Sequence, residues 1–129
     1  MRGEGGFSLV EALVAAGLLA IISLGFAVGA DRALRYNVYS RSLAVATTLA
    51  HDKVEDLMGK VSTDVQLAAG AHTDALNPLK ADGTTNGPYT RIWAVTNNTP
   101  VTGLKTVMVT VTWSIYQDAH TVNLVMVHS

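Results

Sequence analysis

Glu11 is the residue whose setting most clearly calls for chemistry, because it stands at the start of a long apolar stretch. From Ala12 to Ala30 there is no charge, and only Ser23 and three glycines interrupt a series of Leu, Ile, Val, Ala and Phe. A carboxylate in the apolar part of a membrane helix costs on the order of 2.5 to 3.5 kcal/mol, so something must offset its charge. One interpretation places Glu11 at the membrane interface, where it favours the positive helix end. The other pairs it with a positive group of another chain, and an α-amino group would serve if the chain were cut just before Phe7.

The apolar stretch around this carboxylate is long enough to cross a membrane. Counted from Phe7 to Ala30 it has 24 residues. As a helix it would span roughly 36 Å, against about 30 Å for the hydrocarbon core of a bilayer. The sequence therefore predicts a transmembrane or filament-core helix at residues 7–30.

The residues that precede this helix resemble a known processing signal. Gly6-Phe7-Ser8-Leu9-Val10-Glu11, followed by the uncharged stretch, is similar to the class III signal of type IV prepilins and type II secretion pseudopilins. In that family a membrane prepilin peptidase cuts after the glycine and N-methylates the new first residue. The resemblance implies that residues 1–6 are a leader ending at Gly6, and that Phe7 becomes the methylated N-terminus. It also implies that Glu11 recognises the N-terminus of a neighbouring subunit during assembly.

Two other interpretations of the N-terminus stay open. Val28-Gly29-Ala30 before Asp31 fits the small-residue cleavage site of a secretory signal peptide. Against this, the apolar stretch is longer than the usual 7 to 15 residues, and Glu11 stands within it. The second alternative is an uncut anchor for an unrelated periplasmic domain, which the hydropathy alone would equally support.

The helical pattern continues beyond the apolar stretch into residues 31–59. Apolar side chains recur there at three- and four-residue steps, which is typical of an amphipathic helix. They are Tyr39, Leu43, Ala46, Ala50, Val54 and Leu57. Gly59 is the first plausible end, and Lys53 and Lys60 are placed to interact with the negative end of the helix. We therefore expect one helix from Phe7 to about Met58.

The rest of the chain changes character twice. Residues 60–89 are polar and rich in turn-forming residues, and they predict a connecting loop with a helical turn near Val65 to Ala69. Residues 90–129 alternate between apolar and polar side chains and predict an antiparallel sheet of three strands, the last two joined by a turn at Gln117-Asp118-Ala119. Its valine face should pack on the amphipathic helix. The predicted fold is α+β, a long N-terminal helix on a small antiparallel sheet.

This layout also looks like that of a pilin. Residues 46–57, ATTLAHDKVEDL, are similar to the helix end of PilV-type minor pilins and I-type minor pseudopilins. The resemblance implies a minor subunit that acts in filament assembly or initiation, with a major subunit as the nearest alternative. It implies a single-pass inner-membrane protein with a cytoplasmic N-terminus, later part of a periplasmic or surface filament. The implied partners are prepilin peptidase, other pilin or pseudopilin subunits, the inner-membrane assembly platform and membrane lipids.

The composition argues against several other functions. Beyond Ala30 there are eight basic and eight acidic residues, which gives no electrostatic footprint for nucleic acid. The chain has no cysteine, and its four histidines lack the close spacing of metal ligands. We find no catalytic set and expect no enzyme activity, cofactor or metal. The competitor from another class is a membrane-anchored periplasmic binding module that does not polymerise.

Overall fold

One long helix is followed by a four-stranded sheet. The computed structural model describes residues 5–129. The elements are, in chain order, α1 (Leu9–Met58), a 3-10 helix (Val65–Leu67), β1 (Gly70–Thr73), β2 (Thr90–Asn97), β3 (Lys105–Ile115) and β4 (Asp118–His128). This architecture is the predicted α+β class. The predicted leader, residues 1–6, lies outside the described residues except for Gly5 and Gly6.

The chain divides into two compact units by its internal contacts. The N-terminal unit is Met1–Val38 and the C-terminal unit is Tyr39–Ser129. The division falls within α1, so the first half of this helix belongs to one unit and the second half to the other.

In the N-terminal unit, the apolar side chains of α1 are exposed. All large apolar side chains between Leu9 and Val28 are 56 to 79% exposed. The helix is long and apolar enough to cross a membrane by length and composition. Contiguous apolar surface of this size marks a site of membrane or protein contact. The long apolar helix thus fits membrane anchoring.

In the C-terminal unit, α1 contributes one face to the hydrophobic core. Its fully buried apolar residues, Ala46, Leu49, Ala50 and Leu57, belong to one cluster with Val107, Val109 and Val111 of β3. Leu43 and Val54 are partly buried against the same cluster. The predicted helical stripe is therefore confirmed over residues 43–57, with Leu49 in addition, whereas Tyr39 remains 39% exposed.

The four strands form an antiparallel sheet in the order β1-β2-β3-β4. Val107, Val109, Val111 and Trp113 are buried along β3, which confirms the alternation read from the sequence. The sheet has one strand more than predicted, because β1 lies within the region expected to be a loop. Its register places Gly70 opposite Val95 on β2.

The hairpin between β3 and β4 is tighter than predicted. Tyr116 and Gln117 form a two-residue turn with φ values of 51° and 73°. Two successive residues with positive φ are typical of the type I′ turn, whose twist suits a hairpin. The predicted turn at residues 117–119 is therefore wrong, because Asp118 and Ala119 already pair with β3.

The connection between α1 and the sheet is anchored at several points. The predicted helical turn is present as the 3-10 helix Val65–Leu67. Lys105 Nζ donates hydrogen bonds to the carbonyls of Ser62 and Leu67, at 2.6 and 2.7 Å. A partly buried ammonium that donates to two carbonyls fixes this irregular segment to the start of β3.

Candidate processing and assembly site

The predicted cleavage position lies just before α1. Residues 5–8 have neither helical nor strand structure, and all four are exposed. Phe7, the predicted first residue after cleavage, is 83% exposed. Exposed chain outside regular structure is where peptidases gain access most easily. The Gly6–Phe7 peptide bond is therefore accessible, two residues ahead of Leu9.

Ser8 explains why the helix begins at Leu9 and not at Phe7. Its hydroxyl oxygen accepts a hydrogen bond from the backbone N–H of Glu11 at 3.2 Å, and its carbonyl accepts one from Ala12 N–H at 3.0 Å. This is the geometry of a helix N-cap. The Ser-x-x-Glu spacing was the sequence feature that could have predicted it, since that spacing is typical of a capping box.

Glu11 is exposed in the first turn of α1. A carboxylate there is stabilised by the unpaired N–H groups and the positive end of the helix. Within residues 5–129, no salt bridge involves Glu11.

In residues 5–38, the described part of the N-terminal unit, the basic residues lie at the far end of the apolar stretch. Arg32 follows Glu11 by 21 positions, or about 32 Å along an α-helix. Arg35 Nε lies 2.9 Å from Asp31 Oδ2, one turn earlier. In the described part of this unit, the charge of Glu11 is thus separated from its potential cationic partners by the whole apolar stretch.

The C-terminal unit contains a buried ion pair that the sequence did not predict. Arg91 Nη2 lies 2.6 Å from Asp74 Oδ2, and both side chains are about nine-tenths buried. Arg91 Nη1 also donates to the carbonyl of Leu49 on α1 at 2.7 Å. Burial raises the pKa of Asp74, but hydrogen bonds from Leu76 N–H and from Arg91 outweigh it and hold the pKa below the ordinary 3.8. This pair joins the sheet, the helix and the loop after β1.

Lys53 has a different role from the predicted one at the helix end. It is buried, and its ammonium donates to Asp56 at 2.9 Å and to Gln66 at 2.8 Å. The same nitrogen lies 4.2 Å from the centre of the Trp93 ring, within the range of a cation–π interaction. Lys53 therefore stabilises the core between α1 and β2.

Three of the four histidines of the C-terminal unit contact neighbouring groups, whereas His51 is exposed on α1. His72 stacks on Trp93, and His120 stacks on Trp113. The ring of His128 lies 2.9 Å from a backbone carbonyl just after α1. Across residues 5–129, no group of three or more His, Cys, Asp or Glu side chains is placed to hold a metal ion. The predicted site residues Gly6 and Phe7 lie just before α1, and Glu11 lies in its first turn.

Comparison with known proteins gives a match at the N-terminal end of the chain, where the predicted processing site lies. Residues 1–27 match the family model of the prokaryotic N-terminal methylation motif. This motif supports a type IV pilin-like prepilin, and it implies processing by a prepilin peptidase and assembly with other pilin subunits. The match does not extend to the C-terminal unit. Neither the curated proteins nor the solved structures gave a match.

Proposed function

We propose that this chain is a minor pilin or minor pseudopilin, cleaved after Gly6, methylated on Phe7 and incorporated into a type IV pilus or type II secretion filament. The observation that carries the proposal is the carboxylate of Glu11, which makes no salt bridge within residues 5–129, at the head of an exposed apolar helix that bears a methylation motif. The function is assembly or initiation of the filament, and the chain itself catalyses no reaction.

The apolar helix has two successive environments in this proposal. Before assembly, residues 7–30 lie in the inner membrane with the N-terminus on the cytoplasmic side, where the peptidase and the assembly platform act. After extraction, the same side chains cannot remain in water and pack against the helices of neighbouring subunits. The filament core thus replaces the lipid, and the C-terminal unit is presented in the periplasm or at the cell surface.

Glu11 sets the position of the incoming subunit. Cleavage after Gly6 creates a new α-amino group on Phe7, and in the low dielectric of the filament core its positive charge attracts the Glu11 carboxylate of a neighbour. Each charge alone would be costly in an apolar environment, whereas the pair is close to neutral. Only the register that joins them stabilises the assembly.

Mass spectrometry of the N-terminus in the membrane fraction tests the processing step. A chain that begins at methyl-Phe7 is expected. A first residue of Met1 or Asp31 would contradict the proposal and favour the anchored binding module or a signal peptide, respectively. Gly6→Val should block cleavage, because it changes the residue at which the peptidase is proposed to cut, and its matched control Gly5→Val should not. Neither substitution should disturb the structure, because an added Cβ meets no atom within 4 Å at either position.

Replacement of the carboxylate tests the assembly step separately. Glu11→Ala and Glu11→Gln should leave cleavage intact and lower incorporation into filaments on the order of tenfold or more, because the α-amino group of the neighbour loses its counter-charge. The amount of the variant in sheared or purified filaments measures this, with Glu55→Gln on the exposed face of α1 as the control. Filaments of normal composition with Glu11→Gln would show that the charge pair does not operate.

A further inference from the structure

The sheet ends in one long strand whose outer edge is open. The strand order places β1 at one edge with four residues and β4 at the other with eleven. Natural edge strands are commonly short or protected by charges, prolines or bulges. Between Ala119 and Val127, β4 contains no Asp, Glu, Lys, Arg, Pro or Gly, and it pairs with β3 without a bulge. This edge therefore lacks the usual protection against pairing with another strand.

The tight hairpin determines which backbone groups of β4 face outward. In a two-residue hairpin, the residues that flank the turn, here Ile115 and Asp118, exchange both hydrogen bonds, and every second pair does so thereafter. The intervening residues of β4 direct their N–H and C=O groups away from β3. They are Ala119, Thr121, Asn123, Val125 and Val127. Among residues 5–129, no backbone hydrogen bond joins these groups to a further segment.

We propose that this edge binds β4 of a second copy of the chain, antiparallel and centred on Asn123. Asn123 is the midpoint of Asp118–His128, so a two-fold axis there pairs every residue of the strand with one of the second copy. The pairs in which both residues have outward backbone groups are Asn123 with Asn123, Thr121 with Val125, and Ala119 with Val127. The register consequently satisfies all the outward N–H and C=O groups at once.

The side chains are complementary in the same register. At each end, Asp118 lies opposite His128, whose ring is buried and hydrogen-bonded to the carbonyl of Lys60, so no like charges oppose each other across the pair. At the centre, two Asn amides meet. Each Oδ1 already accepts from Thr110 Oγ1 at 2.8 Å and keeps a second lone pair for an N–H of the opposite amide. This self-complementarity is what an isologous interface requires, since the same patch must serve both partners.

The outer face of the sheet gives the pairing an apolar component. Val125 and Val127 are 64% and 51% exposed, and Val125 lies next to Met108, itself 42% exposed, on β3. In the proposed register, Thr121 and Ala119 of the second copy come beside these two valines. Of these two pairs, Thr121 with Val125 joins two β-branched side chains, which pack well on a pleated surface. The proposal depends only on the C-terminal unit, so it stands independently of the processing and assembly roles.

Disulfide cross-linking of the full chain in liposomes tests this register. The protein has no cysteine, so single variants report on one position each. Asn123→Cys should give a predominant disulfide dimer on mild oxidation, because the two Cα atoms of such a pair are about 5.5 Å apart. Thr121→Cys is the matched control on the same face. Its two copies would lie about 14 Å apart along the strands and should stay monomeric. A mixture of Thr121→Cys and Val125→Cys chains should form the mixed dimer.

A proline substitution at the edge of β4 distinguishes a disulfide dimer formed by strand pairing from one formed by random collision. Val125→Pro removes an outward N–H but no hydrogen bond to β3, and proline is tolerated at edges for this reason. Introduced into the Asn123→Cys chain, it should abolish the dimer while circular dichroism shows the fold retained. If it unfolds the chain, Val127→Pro, nearer the strand end, takes its place. A folded Asn123→Cys chain that stays monomeric, or equal dimerisation of Thr121→Cys, would overturn the proposal. A disulfide between the Asn123→Cys chain and a different protein, in place of the dimer of two copies, would overturn it too.

Discussion

Two carboxylates of this chain have opposite surroundings, and the difference indicates their roles. Asp74 is buried and held by the guanidinium of Arg91 at 2.6 Å, so its charge is neutralised within the folded unit. Glu11 is exposed at a helix start, and no salt bridge within residues 5–129 involves it. Removing one partner of a buried pair destabilises the fold, whereas for Glu11, at the head of an apolar helix, we propose a partner from another chain.

The buried pair predicts a large stability effect at residue scale. Asp74→Asn leaves the charge of Arg91 buried without its counter-charge, and removing one partner of a buried pair commonly costs about 3 to 5 kcal/mol. We expect a decrease of that order in the free energy of unfolding at pH 7, measured by urea denaturation in detergent. Asp52→Asn on the exposed face of α1 is the control and should change it by less than about 0.5 kcal/mol. Equal stability of Asp74→Asn and the wild type would contradict the role assigned to the pair.

The same carboxylate predicts how stability depends on pH. Because the pKa of Asp74 is lowered on folding, its contribution is fully present above the unfolded value near 3.8 and is lost as the pH falls through the folded value. The difference in unfolding free energy between wild type and Asp74→Asn should be constant from about pH 5.5 to 8 and shrink below about pH 4.5. Denaturation curves across this range measure it. A difference that stayed constant down to pH 3 would show that Asp74 is not ionised in the folded state.

At the scale of elements, the periodicity of apolar residues correctly predicted which faces of the helix and strands are buried. The apolar stripe of α1 and the alternation along β2, β3 and β4 were correct because burial of one face imposes those periods. Strand β1 was missed because its sequence, Gly-Ala-His-Thr, has no large apolar side chain to alternate, and its position depends on pairing with β2.

Among the functional and structural contacts, too, those between neighbours in the chain could be predicted from the sequence and those between distant residues could not. Gly6, Phe7, Ser8 and Glu11 are neighbours in the chain, so their types and spacing were sufficient to indicate a processing signal. The partnership of Asp74 with Arg91 joins residues 17 positions apart across a loop and a strand. Nothing in local spacing encodes such a contact, since it depends on the packing of the whole C-terminal unit.

The loop before β2 requires a glycine at one position. A Cβ at Gly87 would clash with the backbone of Leu79 and Lys80, and backbone cannot move aside as a flexible side chain does. Gly87 N–H also donates to Pro78 O at 3.0 Å, which fixes this close approach. Gly87→Ala should therefore lower the unfolding free energy by about 2 to 4 kcal/mol. Gly59→Ala is the control, because its Cβ would make only an ordinary contact with Asp56 O at 3.6 Å. Thermal unfolding of both variants checks this, and equal melting temperatures would contradict the clash.

At the scale of the whole molecule, stability and anchoring belong to different parts of the chain. Every residue of the core cluster lies between Leu43 and Met126, inside the C-terminal unit. The long apolar surface lies in the N-terminal unit, where the part of α1 that is apolar enough to cross a membrane is exposed. A mutation in the N-terminal unit can therefore affect membrane or filament contacts without affecting the core. A mutation in the core can likewise affect stability without changing the apolar surface.

This separation predicts that the C-terminal unit folds without the N-terminal one. A fragment of residues 39–129 retains the whole core cluster, so it should fold in detergent-free buffer with a melting temperature within about 5 °C of the same transition in the full chain. A fragment of residues 60–129 loses Ala46, Leu49, Ala50 and Leu57. Burial of a single leucine contributes about 1.5 to 3 kcal/mol, and small domains have only about 5 to 15 kcal/mol in total, so the shorter fragment should be unfolded. Circular dichroism on heating distinguishes the two fragments. If residues 39–129 failed to fold while the full chain in detergent did, the apolar half of α1 would have to contribute to the stability of the sheet as well as to anchoring.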